Sequence, residues 1–191
     1  MDGDAFENLQ TAFSGTQLDS VIIKTLTDMS NRGLLVGTDS SQVLTSSSLT
    51  LDFPDGYRSA ISITLIDGSL ATKAPLIKLP GGHGEYRELR ENDDSTGLPK
   101  WYSEFNDKIY LWRPPDAAYT TLIEYRKNHA KDADNIEFTT EFENLMFAGA
   151  TFWKAASLNR TESVNLWGVI YRDELRTAIL NRKNQPSIAR G

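Results

Sequence analysis

His83 and His129 are the side chains best suited to acid–base or metal chemistry in this chain of 191 residues. Neither has the paired-ligand spacing of a metal motif beside it, and metal sites recruit several ligands at recurring short spacings. The expectation for both is a surface ring in a loop, with no metal. Zero cysteines exclude disulfides, thiolate zinc, iron–sulfur clusters and cysteine nucleophiles together. The glycine cluster Pro80-Gly81-Gly82-His83-Gly84 lacks the Lys-Ser/Thr of a phosphate loop; it reads as a turn needing positive φ that does not lead into a helix. Asp93 and Asp94 are neighbours in a polar stretch, whereas an acid/base pair needs a set separation and unequal environments. There is no Gly-x-Ser-x-Gly. The residues therefore point to no catalytic group and no cofactor, and the chain is expected not to be an enzyme. A hydrolase joining His83 or His129 to a distant Asp is a third and weaker reading.

Aromatic residues offer a second kind of chemistry. Trp101, Tyr102, Tyr110 and Trp112 could form a platform for sugars or bases, or fill a core, since each buries ~150 to 250 Å². Trp153 and Trp167 are expected to face each other inside a helical hairpin.

Around these residues the chain is acidic, with 20 basic against 26 acidic residues and a net charge of -6. That balance does not suit a binder that tracks phosphates with clustered Lys and Arg. It suits a solvated acidic surface that aids solubility as well as it suits a wall that DNA passes without sticking. No run approaches the ~20 apolar residues of a spanning helix, so no membrane is expected. Met1 to Phe6 lack the basic-then-apolar pattern of a secretory signal, which makes a host cytoplasm the expected place of synthesis.

The periodicities predict helix, then strands, then two helices. Thr16 is a candidate N-cap, Leu18, Val21, Ile22, Leu26 and Met29 recur at helical spacing, and Gly33 stands where a helix stops. Strands are predicted over 34–36, 43–53, 57–66 and 76–79, cut by Pro54-Asp55-Gly56 and Asp67-Gly68-Ser69. In 60–66, Ile61, Ile63 and Leu65 are expected to share one face. Residues 85–99 read as a surface loop. Thr140 and Glu143 fit a capping box ahead of the stripe Phe142, Leu145, Met146, Gly149, Phe152, Trp153 and Ala156. A short turn leads to a helix carrying Val164, Trp167, Tyr171, Leu175 and Ala178. The fold expected is α+β: a helical bundle body made of an N-terminal helix and a C-terminal helical hairpin, with an antiparallel β-rich middle. Its divisions are an N-terminal helical segment 1–33, a β-rich insertion 34–98 that projects from the body, a strand hairpin and helical hairpin 99–184, and a flexible tail 185–191.

The stretch "KIYLWRPPDAAYTTLIEYRKN" breaks an aromatic strand on Pro114-Pro115 and then resumes it. Two proline rings without N–H donors stop a ladder and aim the next strand, so Pro114, Pro115 and Asp116 are read as a structural hinge, with an ordinary stiff hairpin turn as the plainer reading. With its flanks this stretch resembles the head-to-tail adaptor proteins of short-tailed bacteriophages. The matching positions are Pro99, Trp101, Tyr102, 109–112, Pro114, Pro115, Asp116 and Tyr125, then Phe142, Leu145, Gly149 and Ala156. The resemblance covers residues 99–180; segment 34–98 is longer and more β-rich than the family pattern. It implies a structural virion protein at the head–tail junction, a ring, commonly dodecameric, that sits under the portal protein, extends the DNA channel without sequence-specific binding, and meets the tail nozzle or another tail protein.

The last residues add one expectation. Arg182, Lys183 and Arg190 make this end basic within an acidic chain, and Ser187, Ile188 and Ala189 could pair with an exposed strand edge. These six residues are the candidate portal-binding arm. The alternative function, from a different class, is a carbohydrate- or receptor-binding tail module that uses the aromatics of 101–112.

Overall fold

The strands on either side of Pro114-Pro115 belong to different sheets. The computed structural model describes residues 17–46, 48–66 and 74–184, and it is mixed α+β, with four helices and two sheets among those residues. They divide into two units, one made of 17–35 with 128–184 and the other of 36–127.

In the first unit, α1 (Gln17–Asn31) buries the predicted stripe of Leu18, Val21, Ile22, Leu26 and Met29. It stops where expected: Gly33 has φ 78°, its N–H reaches the Ser30 carbonyl at 2.9 Å, and the Leu34 N–H reaches the Met29 carbonyl at 3.2 Å. This double bond beyond a left-handed glycine closes a Schellman cap, with Leu34 and Met29 buried against one core. A 3₁₀ turn, Thr140–Phe142, leads into α3 (Glu143–Ser157). The expected capping box does not form. Thr140 lies inside the turn, the residue in the N-cap position is Thr139, and no side chain caps either helix start. After a turn through Asn159 at φ 54°, which asparagine tolerates, α4 runs Thr161–Asn184. Helices α1, α3 and α4 enclose one apolar cluster that includes Phe138, Leu145, Met146, Tyr171 and Leu175. The two tryptophans take separate partners there: Trp167 meets Phe147 edge-on at 5.6 Å and Trp153 meets Phe152 at 4.9 Å.

The second unit is a sandwich. One sheet runs β1 (Val36–Asp39), β9 (Tyr119–Lys127), β4 (Tyr57–Ile66), β5 (Ala74–Pro75), with β2 (Val43–Leu44) also paired to β9. The other runs β3 (Thr50–Asp52), β8 (Lys108–Trp112), β7 (Trp101–Phe105), β6 (Ile77–Lys78). Every pairing is antiparallel except β6 with β7. Leu44, Ile63, Leu65, Tyr119, Ile123 and Tyr125 from the first sheet join Leu51, Tyr102, Ile109 and Leu111 from the second in one core. Because β9 lies between β1 and β4, and β8 between β3 and β7, the strands of 101–127 share both sheets with strands of 36–78. Strand β4 has the predicted ends, but register shifts at Tyr57/Ser59 and Ala60/Ser62 turn Ile61 outward at 45% exposure, while Ile63 and Leu65 are fully buried.

Residues 85–92 are helical, not a loop. Helix α2 (Gly82–Asn92) begins at the glycine cluster; Gly82 has φ 64°, and the Glu85 carboxylate accepts the Gly81 N–H at 2.7 Å. Its one buried side chain is Tyr86, so the sequence carries no apolar stripe that would announce it.

Candidate functional site

Pro114 and Pro115 are buried, and they carry the chain from the end of β8 in one sheet toward β9 in the other. A hairpin would have paired β8 with β9. Lacking N–H donors, the prolines end the β7–β8 ladder, whose final bond runs from the Lys100 N–H to the Trp112 carbonyl at 3.1 Å. The Pro114 carbonyl accepts the Gly97 N–H at 2.9 Å, and Asp116 accepts the Tyr119 hydroxyl at 2.7 Å. Pro114, Pro115 and Asp116 thus lie on a sheet-to-sheet crossing, with Asp116 bonded to the first residue of β9.

The four central aromatics separate onto two faces because side chains alternate along β7 and β8. Tyr102 points into the sandwich core. Trp101 and Trp112, cross-strand partners, pack on each other at 5.1 Å with planes 55° apart, and the Arg113 guanidinium lies 5.4 Å from the Trp112 ring. Tilted rings of this kind present no common flat face to a sugar. Tyr110 joins a separate cluster in which α2 covers the second sheet. There His83 stacks on Phe105 at 4.3 Å and 6°, contacts Tyr86 and Tyr110, and sits 3.4 Å from the Ser103 hydroxyl.

His129 is not a surface ring: it is 5% exposed and stacked over Phe138 in the helical unit. Asp93 and Asp94 do not act together. Asp93 accepts the Ser95 N–H at 3.0 Å and pairs with Arg113 at 3.0 Å, and the Ser95 hydrogen bonds hold its carboxyl below the usual range. Among the described residues no group of three or more His, Cys, Asp or Glu is placed to hold a metal ion.

Two features of the structure have no counterpart in the sequence reading. Glu104 on β7 accepts the Tyr57 hydroxyl at 2.7 Å, the Lys78 ammonium at 2.6 Å and the Ala60 N–H at 3.3 Å, tying the sheets together through residues 47 positions apart. Burial, and then the hydrogen bond from Glu104, push the Tyr57 hydroxyl far above its ordinary pKa. The second feature is a cleft of about 170 Å³ between the start of α3 and the last turns of α4. Its lining combines Phe142, Leu145 and Ala178 with the charged Glu141, Glu174 and Arg182. Arg182, a candidate of the basic arm, spends its guanidinium here, 5.6 Å from the Phe142 ring. The Lys183 side chain and all of Ser187, Ile188, Ala189 and Arg190 lie outside the described residues.

The model of the SU10 adaptor protein family matches residues 18–190. The chain belongs to that family. The match extends from α1 to beyond α4 and bears out the resemblance to phage head-to-tail adaptors, over far more of the chain than the stretch that carried it. No curated protein matches the chain. An SU10 adaptor works by meeting other proteins, so its exposed apolar side chains are of interest: Leu166 at 60% and Val169 at 51% on one side of α4, and Ile77 at 60% on β6. They are dispersed singly or in pairs, spread over both units.

Proposed function

We propose that this SU10 adaptor is a non-enzymatic component of the virion that closes into a ring, of dodecameric order, beneath the portal protein and above the tail nozzle or another tail protein. DNA passes through the ring without sequence-specific binding, and the net charge of -6 supports a lumen that does not retain phosphates. The family match over residues 18–190 is the observation that carries this reading. Mass measurement of the protein alone and mixed with its portal tests it. A ring-sized species with the portal is expected; a strict monomer that ignores the portal would sink the proposal. A monomer in the absence of portal is compatible, because many assembly subunits order only on contact.

For the portal contact the reading assigns the arm formed by Arg182, Lys183, Ser187, Ile188, Ala189 and Arg190. Truncation after Lys183 removes one residue of α4 and everything beyond it. The truncated chain is expected to keep its helical circular dichroism and to lose most of its portal association. Undiminished association would assign docking to the helical body instead.

A further inference from the structure

The outer face of α4 carries a second periodicity beside the one that packs the core. Tyr171, Leu175 and Ala178 face the helical cluster. On the opposite side Leu166, Val169, Asp173, Arg176 and Leu180 follow at steps of three, four, three and four residues. That mean spacing of ~3.5 residues is the seam of a coiled coil. All five side chains are exposed, Leu180 at 48%. Neither Asp173 nor Arg176 forms an ion pair with any described residue.

We infer that this face pairs antiparallel with the same face of a second copy of the chain, about a two-fold axis between Asp173 and Arg176. The order of the residues selects that partner. In the antiparallel register Asp173 faces Arg176 of the second copy, Arg176 faces its Asp173, and Val169 and Leu180 meet in both directions. Two opposite-charge contacts are thus flanked by two apolar ones, and Leu166 extends each end over the last turn of the facing helix. Parallel pairing in register sets Asp173 on Asp173 and Arg176 on Arg176. A parallel shift of one heptad sets Asp173 on Leu180 and Val169 on Arg176. Only the antiparallel arrangement matches charge with opposite charge and apolar with apolar at all four positions.

The dimensions agree with this pairing. At ~1.5 Å per residue α4 is about 36 Å long, and Val169 to Leu180 occupy about 16 Å of it. Packed helix axes lie ~8 to 10 Å apart, a gap that a carboxylate and a guanidinium can close between them. Three apolar side chains from each copy make a small seam, so the association is expected to be reversible and of micromolar order. A two-fold contact is satisfied by two copies and does not propagate. It therefore belongs to the free subunit, covering the exposed leucines before assembly, and neither requires the proposed ring nor builds it.

Sedimentation equilibrium of the full-length chain without portal, over a range of concentrations, tests the pairing. A monomer–dimer equilibrium is expected. Asp173→Arg sets like charges face to face at both contacts, and so does Arg176→Asp; each variant alone is expected to associate at least about tenfold more weakly. Mixed in equal amounts they should restore the dimer. Both exchanges in one chain should restore it too, at unchanged net charge, which separates facing contacts from bulk attraction. Orientation is read from single cysteines in this cysteine-free chain. Val169→Cys mixed with Leu180→Cys is expected to cross-link between the two variants at least about tenfold faster than Val169→Cys does with itself. In the antiparallel pair the two copies of position 169 stand about 16 Å apart, beyond the ~7 Å between Cα atoms that a disulfide can span. Circular dichroism checks that each variant folds. A chain monomeric at every concentration, an assembly larger than a dimer, single exchanges that leave association unchanged, a double exchange that fails to restore it, or equal cross-linking of Val169→Cys with itself would each overturn the inference.

Discussion

Gly149 lies in the middle of α3, where helix propensity alone favours alanine by about 1 kcal/mol. The packing opposes it. A Cβ at this position would stand 2.4 Å from Thr25 Cγ2 and 2.8 Å from Tyr171 Cε2, against an ordinary contact of 3.4–4 Å. Neither neighbour has room to swing away: Thr25 and Tyr171 are both buried, the Thr25 hydroxyl donates to the Val21 carbonyl at 2.9 Å, and the Tyr171 hydroxyl donates to Asp28 at 2.7 Å. Overpacking against one rigid neighbour costs about 1 to 3 kcal/mol, and here α1 and α4 must both give. After the propensity gain, Gly149→Ala is expected to destabilise the helical unit by about 2 kcal/mol, a fall in Tm of roughly 4–8 °C for a chain of this size. Thermal and urea unfolding followed at 222 nm measures it. Gly84→Ala provides the opposite sign, because Gly84 is helical, exposed and has nothing within 4 Å of an added Cβ; it should stabilise by a few tenths to about 1 kcal/mol. Thr25→Ser removes the nearer methyl group and should recover part of the loss, with a coupling of at least about 0.5 kcal/mol in the double-mutant cycle. A Gly149→Ala chain as stable as the parent would refute the close crossing of α1, α3 and α4.

Glu104→Ala strips the acceptor from the half-buried Tyr57 hydroxyl and is expected to cost about 1 to 2 kcal/mol in urea unfolding, whereas Lys78→Ala, at the exposed end of the same network, should cost under about 1 kcal/mol; equal costs would mean that the ion pair, not the tyrosine, holds Glu104. Burial raises the hydroxyl pKa of Tyr57 and Tyr171 well above the ordinary 10.0, and that of Tyr102 to about 12. The unfolded chain therefore loses these protons first, so their contribution is complete below about pH 10 and is lost as pH rises toward the folded values. The urea midpoint should fall between about pH 10 and 12, less steeply in Tyr171→Phe, and a flat profile over that range would contradict the burial. Residues 36–127 expressed alone should fold cooperatively, because Val36 and Arg126 are register partners and the ends of the unit leave it side by side. Deleting 38–95 instead removes all but two residues of β1, the whole of β2 to β6 and α2, and should yield a chain that aggregates; a folded product would show that β7 to β9 need none of them.

The sequence by itself determined whatever depends on neighbours a few positions apart. The α1 stripe and its Gly33 stop, the ends of β4, the two closing helices and the cysteine-free chemistry are all legible in this way, because a 3.6-residue or two-residue period is written into consecutive side chains. Helix α2 escaped that reading because one buried tyrosine makes no period. Tertiary structure alone decided that Pro114-Pro115 crosses between sheets, since the partner of β9 is β4, over fifty residues earlier, rather than β8 just before it. It also decided that Glu104 serves Tyr57, that Gly149 lies against Thr25 and Tyr171, and that Phe142 and Ala178 line one cleft. Each of these is an approach between residues distant in the chain, and a distance of that kind is set by how whole helices and sheets close on their cores, which no local spacing encodes.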